Sequence, residues 1–395
     1  MASFNEIAKK INKAWKDEVL VSGNFVKEVE RIPLGDLGAD YALFGGIPEG
    51  CLTVFSGVEH SGKTLSAALA MAQYQKKYPN KVNVWVDAEN TIPVQADFLH
   101  RMTGLDVFSE TFFRYDCSGK AAEEIFADII QLEDADNIGF ICLDSAPALI
   151  SKADLDNEFE KDNGQRASVA KSLGKFIKQM LMLLPKKENV LLIINQVRED
   201  GKNYMGATIY KEPCGYALGY YPSMKVRFGT RNFTLDEKTD LAASKSEGAD
   251  GFRLKFSVTK SRLGPTNRGG GFLTFRYDTG LDYMFDTLEV ALKFGYIRRP
   301  NNQTYILINL STGEVYKDEE TGGELKFLGK QKLIDYLNSH PDFKMSYFNM
   351  LNENISASKE KVNLLDKDSM NEILKQEAEV SNQKYEPDTD TEEDK

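Results

Sequence analysis

Short apolar runs alternate with longer helical stretches along the first half of the chain. Four runs have the length and composition of buried strands, at 52–55, 82–86, 140–143 and 189–194. The segments between and around them favour helices, at 65–78, 121–132 and 171–184. Strands that alternate with helices predict an α/β fold, with a mainly parallel twisted sheet covered on both faces.

Other patterns frame this predicted sheet. At 3–20, apolar residues at helical spacing alternate with lysines, which predicts an amphipathic helix that packs either on its own domain or on a neighbouring subunit. Alternating strands are expected at 225–228 and 253–259, and an exposed insertion at 236–251. Segment 198–215 has no regular period, so it is either mobile or ordered by a ligand.

The chain changes character after about residue 283. Short elements are expected at 288–294, 304–308, 325 onward and 330–337, which together make a small α+β module. Farther on, apolar residues become rare and acids accumulate, which is typical of a disordered tail. We therefore expect an N-terminal helix and linker (1–30), an α/β core (31–285), a small C-terminal domain (286–360) and an acidic tail (361–395).

Composition excludes several classes of protein. No run of 18 or more apolar residues is present and the N-terminus lacks the pattern of a signal peptide, so a cytoplasmic protein with no membrane partner is expected. The four cysteines form no pair typical of a metal or redox site, and only three histidines occur. The net charge of −11 argues against nucleic acid, but residues 377–395 carry eight acids against two lysines, so the total is a weak guide to any local surface.

The strongest chemical signal follows the first predicted strand. Gly57 opens the spacing G-x-x-x-x-G-K-T, which ends at Thr64 and lies between a strand and a helix, as a phosphate-binding loop requires. Its backbone amides would surround a triphosphate, Lys63 would neutralise the β- and γ-phosphates, and Thr64 would bind Mg²⁺. A glycine turn without a ligand is the disfavoured alternative. The predicted ATP-binding residues are Gly57, Val58, Glu59, His60, Ser61, Gly62, Lys63 and Thr64.

Polar residues end the neighbouring strands, where ligands bind in such sheets. Asp144 is expected to support Mg²⁺ opposite Thr64. Glu89 could polarise the water that attacks the γ-phosphate, or it could simply cap the next helix. Gln196 could sense the γ-phosphate and pass the nucleotide state to segment 198–215 as an order–disorder switch.

Segment 198–215 combines cations with aromatic rings. Arg198, Lys202 and Lys211 suit neutralisation of a phosphate backbone, while Tyr204 and Tyr210 suit stacking or wedging of bases. The alternative is a solvated surface loop.

Six motifs occur here in an order that resembles the RecA recombinases, most closely their phage branch, over roughly residues 1–345. They are 45–50 (Gly-Gly-Ile-Pro-Glu-Gly), 57–64 (the phosphate loop), 87–89 (Asp-Ala-Glu), 143–145 (Leu-Asp-Ser), 194–198 (Ile-Asn-Gln-Val-Arg) and 259–262 (Thr-Lys-Ser-Arg). The resemblance implies subunits that polymerise as a helical filament on single-stranded DNA, with ATP between neighbours.

The resemblance also assigns roles to individual residues. Lys63, Glu89 and Gln196 match catalytic positions, and Lys260 and Arg262 match cations that reach the neighbouring subunit's γ-phosphate. Phe98 matches the residue that stacks on adenine. Segments 155–164 and 198–215 match the two DNA-binding loops, and Lys225 matches a basic position near them. The implied DNA-binding residues are Arg166, Lys175, Arg198, Lys202, Tyr204, Met205, Tyr210, Lys211 and Gly215.

Three departures from the family pattern stand out. His60 replaces a small residue in the phosphate loop, Gly219 stands where bacterial members carry an interface lysine, and the first DNA loop is acidic. The predicted function is an ATP- and Mg²⁺-dependent recombinase, a DNA-dependent ATPase that pairs single-stranded with double-stranded DNA and exchanges strands. Single-strand-binding and mediator proteins are further candidate partners. The alternative is a ring-forming motor or helicase of the same fold.

Overall fold

The computed structural model describes residues 3–16, 19–20, 28–156, 166–202, 208–229, 232–235, 242–243, 249–264, 270–309, 311–318 and 321–363. Its helices, in chain order, are α1 (Phe4–Trp15), α2 (Leu37–Ala42), α3 (Lys63–Lys77), α4 (Thr91–Thr103), α5 (Ala122–Leu132), α6 (Lys152–Leu155), α7 (Arg166–Lys187), α8 (Ala217–Tyr220), α9 (Tyr283–Lys293), α10 (Lys330–Ser339) and α11 (Pro341–Asn363). Among the described helices, none is long and apolar enough to span a membrane.

The strands are short at the ends of the chain and longer in its centre. They are β1 (Arg31–Ile32), β2 (Ile47–Pro48), β3 (Leu52–Gly57), β4 (Val82–Asp87), β5 (Phe112–Asp116), β6 (Ile138–Asp144), β7 (Val190–Gln196), β8 (Arg198–Lys202), β9 (Thr208–Lys211), β10 (Met224–Phe228), β11 (Asn232–Leu235), β12 (Ala242–Ala243), β13 (Ala249–Ser261), β14 (Gly270–Arg276), β15 (Gly280–Leu281), β16 (Ile297–Arg298), β17 (Thr304–Leu307) and β18 (Lys326–Leu328).

One large sheet organises the first 285 residues. Its strands run in the order β12-β11-β13-β10-β3-β7-β6-β4-β5, with β14 beside β13 and β15 beside β14. From β10 to β5 every pairing is parallel, and from β13 outward the pairings are antiparallel. The predicted α/β fold with a mainly parallel core is therefore confirmed. The alternating strand predicted at 225–228 is β10, the last strand of the parallel region, and the one predicted at 253–259 lies in β13, which begins the antiparallel extension.

Both faces of the parallel region are buried, because side chains alternate between two apolar layers. Phe55 and Trp85 pack on the face covered by α3 and α4, and both are fully buried. Val54 and Val84 belong to the opposite layer, under α5 and α7. The phosphate-loop strand β3 thus lies in the middle of the core, which fixes its position.

The structure contains several elements that the sequence pattern did not predict. Helices α2, α4 and α11 and strand β5 were not expected from the pattern. Segment 198–215, predicted to lack regular structure, contains an antiparallel hairpin in which β8 pairs with β9, followed by α8. Residues 157–165, 203–207 and 364–395 lie outside the described part, and they include most of the first predicted DNA loop, Tyr204, Met205 and nearly all of the predicted tail.

A third apolar cluster lies at the C-terminal side. It joins α9, α10, α11 and the three-stranded sheet β16–β18, and Leu37 of α2 packs into it.

At the other end of the chain, α1 begins with a capping box at Ser3 and buries no residue. Its apolar residues Phe4 and Trp15 are 74% and 72% exposed. Of the two interpretations left open for this helix, packing on its own domain receives no support.

Candidate active site

The phosphate loop turns sharply because two glycines leave no room for side chains. A Cβ on Gly57 would lie 2.6 Å from Ser61 Oγ and 2.8 Å from the Phe228 carbonyl oxygen. Gly62 has φ +87°, and a Cβ there would lie 2.3 Å from Leu254 Cδ1. Any larger residue would clash at these two positions, so glycine allows the tight turn between β3 and α3, and α3 begins at Lys63.

Lys63 is buried in the loop that it serves. Its Nζ donates to the Val58 carbonyl oxygen at 2.7 Å and approaches Ser61 Oγ at 3.5 Å. Burial lowers the pKa of Lys63, the carboxylates of Asp144, Glu89 and Glu59 oppose that shift, and the Arg227 charge adds to it. The ammonium is therefore held by a carbonyl and a hydroxyl that a phosphate oxygen could replace.

Asp144 ends β6 opposite the loop. It is buried and receives a hydrogen bond from the Thr64 hydroxyl. Burial raises the pKa of Asp144 to about 7, the Glu89 charge adds to this, and the hydrogen bond from Thr64 opposes it. Its Oδ2 has no hydrogen-bond partner in the described part of the chain. A carboxylate oxygen left unpaired beside a threonine hydroxyl fits a Mg²⁺ site, since hard cations prefer oxygen ligands.

Glu89 faces the same cleft from beyond the end of β4. Its Oε1 accepts hydrogen bonds from the Ser145 hydroxyl and, at 2.8 Å, from Gln196 Nε2. The helix cap proposed as an alternative role for Glu89 belongs to Asp87, whose carboxylate accepts from the backbone N–H groups of Thr91 and Ile92. Glu89 is consequently free to act on a ligand in the cleft.

The structure brings most of the predicted nucleotide residues together. A cleft of about 230 Å³ is lined by phosphate-loop residues with Glu89, Asp144, Gln196 and half-buried Phe98. Ser145 is the residue that sequence reasoning passed over, although it stands beside Asp144 in a motif already singled out. Gln95, one turn before Phe98 on α4, also lines the cleft and has no signal in the sequence without that helix.

Lys260 and Arg262 are not among the residues that line this cleft. At the end of β13, Lys260 donates to the Gly219 carbonyl oxygen at 2.9 Å, and Arg262 donates to that of Tyr220 at 2.6 Å. Burial lowers the pKa of Lys260, and the charges of Arg262 and Lys225 act in the same direction. Both cations are therefore bound to carbonyl oxygens of α8 and do not line the cleft of their own chain.

The described residues of the predicted DNA surface lie on the hairpin β8–β9, on α7 and just before α8. Arg198 and Lys211 are exposed on the hairpin, where Lys211 lies 3.9 Å from Asp200. Tyr210 is half-exposed under the guanidinium of Arg227, at 5.3 Å. Lys175 is exposed on α7, Gly215 has φ +75°, and Arg166 and Lys202 are placed by their backbone at the start of α7 and the end of β8.

Fold and cleft together define a P-loop nucleotide-binding protein with a parallel core sheet. Residues 2–280 match the model of the RecA N-terminal domain. The chain is 30% identical over 345 residues to RecA of Thermus aquaticus, which covers 86% of this chain and 90% of that protein. It is 29% identical over 361 residues to RecA of Mycoplasma mobile, covering 91% and 96%. This chain belongs to the RecA family.

Family membership supplies the activity. The protein is a RecA-family recombinase, a DNA-dependent ATPase that carries out ATP-dependent strand exchange. It binds DNA and ATP and forms filaments.

Proposed function

We propose that this recombinase is of the phage type and that it assembles as a helical filament on single-stranded DNA, with ATP and Mg²⁺ bound between subunits. The observation that carries the proposal is the convergence of Lys63, Asp144, Glu89 and Gln196 on one cleft beside the phosphate loop. The sequence Thr-Lys-Ser-Arg at 259–262 and the acidic C-terminal segment support the phage type.

Each side chain in the cleft has a task in hydrolysis. Lys63 would exchange its bonds to Val58 and Ser61 for phosphate oxygens. Glu89 would orient and polarise the attacking water, while Ser145 and Gln196 fix its carboxylate. Thr64 and Asp144 would hold Mg²⁺, which neutralises phosphate charge when it is bound. Phe98 supplies the aromatic face for adenine.

Assembly would complete the site. Lys260 and Arg262 lie apart from the cleft of their own chain, so their charges can act on the γ-phosphate of a neighbour. The exposed apolar face of α1 would dock on the adjacent subunit. The chain would then divide into four parts: a docking arm (1–30), an ATPase core (31–285), a C-terminal domain (286–360) and an acidic tail (361–395).

DNA would bind along the hairpin face. Phosphates would be neutralised by Arg198 and Lys211 on the hairpin and by Lys175 on α7. Bases would be contacted by Tyr210. The remaining proposed DNA-binding residues are Arg166, Lys202, Tyr204, Met205 and Gly215. Single-strand-binding and mediator proteins are the proposed protein partners.

ATP turnover and electron microscopy test the proposal together. Turnover should rise severalfold on addition of single-stranded DNA, and negative-stain images with ATP should show helical filaments on that DNA. A rate unchanged by DNA would contradict the DNA-coupled site. Closed rings in the images would instead favour a motor of the same fold.

A further inference from the structure

The hairpin β8–β9 ends on a carboxylate that bridges two cations. Glu212 follows β9 directly, and its Oε2 accepts a hydrogen bond from Lys225 Nζ. Its Oε1 lies 3.4 Å from Arg227 Nη1. The three side chains are only 24%, 13% and 25% exposed, so solvent screens the contact less than it screens a surface ion pair.

These cations stand beside the phosphate-loop strand. Lys225 and Arg227 lie on β10, which pairs in parallel with β3, and Arg227 is level with Ser56 of β3. On its other side, Lys225 is level with Lys260 of β13. The pocket between them has a volume of about 420 Å³ and is lined by Glu212, Gly219, Lys225, Arg227, Thr259 and Lys260. Three cations against one acid leave an excess of two positive charges, which favours an anion.

We propose that Glu212 is an internal competitor for a phosphate-binding site formed by Lys225, Arg227 and Lys260, and that a phosphate group displaces it and releases the hairpin. Carboxylate and phosphate oxygens accept the same hydrogen bonds from lysine and arginine, so one can replace the other. The ligand is a phosphate oxyanion, supplied either by a DNA backbone or by the nucleotide of a neighbouring subunit. The proposal rests on the function proposed above.

Both ends of the hairpin β8–β9 are held by side-chain contacts, so displacement of Glu212 would change how the hairpin is held. Its first strand follows Gln196, whose amide is bound to Glu89 in the nucleotide cleft. Its second strand ends at Glu212, on the cations of β10. Loss of the Glu212 ion pairs would leave the second strand with weaker contacts to the core, such as the Tyr210 ring under Arg227, while the first strand stays tied to the nucleotide cleft. DNA engagement would then depend on the state of the cleft.

Replacement of Glu212 by Gln tests the competition in the full-length protein. Gln keeps the size of the side chain and removes its charge, so the cations become available without displacement. If DNA supplies the phosphate, E212Q should bind an oligo(dT) strand about tenfold tighter at moderate salt without nucleotide, and the gain should shrink at high salt. If a neighbour's nucleotide supplies it, E212Q should raise ATP turnover and assembly in the absence of DNA, with nucleotide-free DNA affinity unchanged.

Two further variants make the test specific. Glu110→Gln removes the same charge from an exposed position outside the hairpin and should behave like the wild type. Lys225→Gln added to E212Q should abolish the gain, while melting curves confirm that both variants fold. The proposal is overturned if E212Q equals the wild type in both assays, if E110Q reproduces its effect, or if the gain survives loss of Lys225. Wild-type turnover that ignores DNA would instead refute the proposed function.

Discussion

The cleft beside the phosphate loop and the hairpin β8–β9 both adjoin the end of β7, yet they are held in different ways. The cleft is formed at the ends of buried parallel strands, where the backbone is fixed by ladders on both sides. The described strands of the hairpin pair with each other, and they contact the core through a few side chains, such as Glu212 on Lys225 and Tyr210 under Arg227. One region is therefore preorganised by the core, and the other is held by contacts that a charged ligand can replace.

Glu89→Gln is expected to have the largest effect and to separate the two regions. Loss of the proposed general base should lower ATP turnover by about 10²- to 10⁴-fold, while the phosphate loop keeps its affinity for ATP. DNA complexes formed with ATP should then persist, because the step that ends them is blocked. Turnover assays, nucleotide binding and DNA dissociation rates measure the three effects. The exposed Glu110→Gln variant is the control, and wild-type turnover in Glu89→Gln would remove this residue from its proposed role.

Ser145→Ala should have a smaller effect confined to the preorganised region. The Ser145 hydroxyl donates to Glu89 Oε1, and hydrogen bonds to charged groups contribute about 1.5–3 kcal/mol. We expect turnover to fall by roughly tenfold to a hundredfold with ATP affinity retained, which is the result for a positioning residue.

A double variant tests whether Ser145 acts through Glu89. Ser145→Ala in the Glu89→Gln background should cause little further loss, since the carboxylate that it positions is gone. Ser56→Ala is the matched control, because Ser56 is a buried serine of β3 that bonds the Val226 carbonyl oxygen instead. Additive losses in the double variant would assign Ser145 a purely structural role.

The same contrast explains what the sequence could predict. Strand ends and the phosphate loop are local patterns, so the α/β core and the grouping of Lys63, Glu89, Asp144 and Gln196 were within reach. The contact of Glu212 with Lys225 and Arg227 joins two segments through tertiary packing, and no local period announces it. Helix α4 escaped notice because its capping carboxylate, Asp87, lies four residues before Thr91 and reads equally well as a strand-end acid.

Asp36→Asn should change the stability of the protein and leave ATP turnover unchanged. That result would show that the contact between α2 and α9 has a structural role only. Asp36 is fully buried, caps α2 through the Ala39 N–H, and lies beside Asp286 of α9. Burial raises the pKa of Asp36 well above its usual range, and the Asp286 charge adds to this shift. The Asp286 pKa is also raised by burial, although hydrogen bonds from Thr274 and the charge of Arg253 oppose that shift.

The sign of the expected change follows from proton binding. Above a pH of about 4 the unfolded chain releases the Asp36 proton while the folded chain retains it, so stability falls as pH rises toward the folded pKa. Asn keeps the cap and has no proton to lose. The melting temperature of Asp36→Asn should therefore exceed that of the wild type by several degrees at pH 8, with a smaller difference at pH 5. The exposed Asp97→Asn variant should show neither effect. A difference that grows toward low pH would contradict the raised pKa.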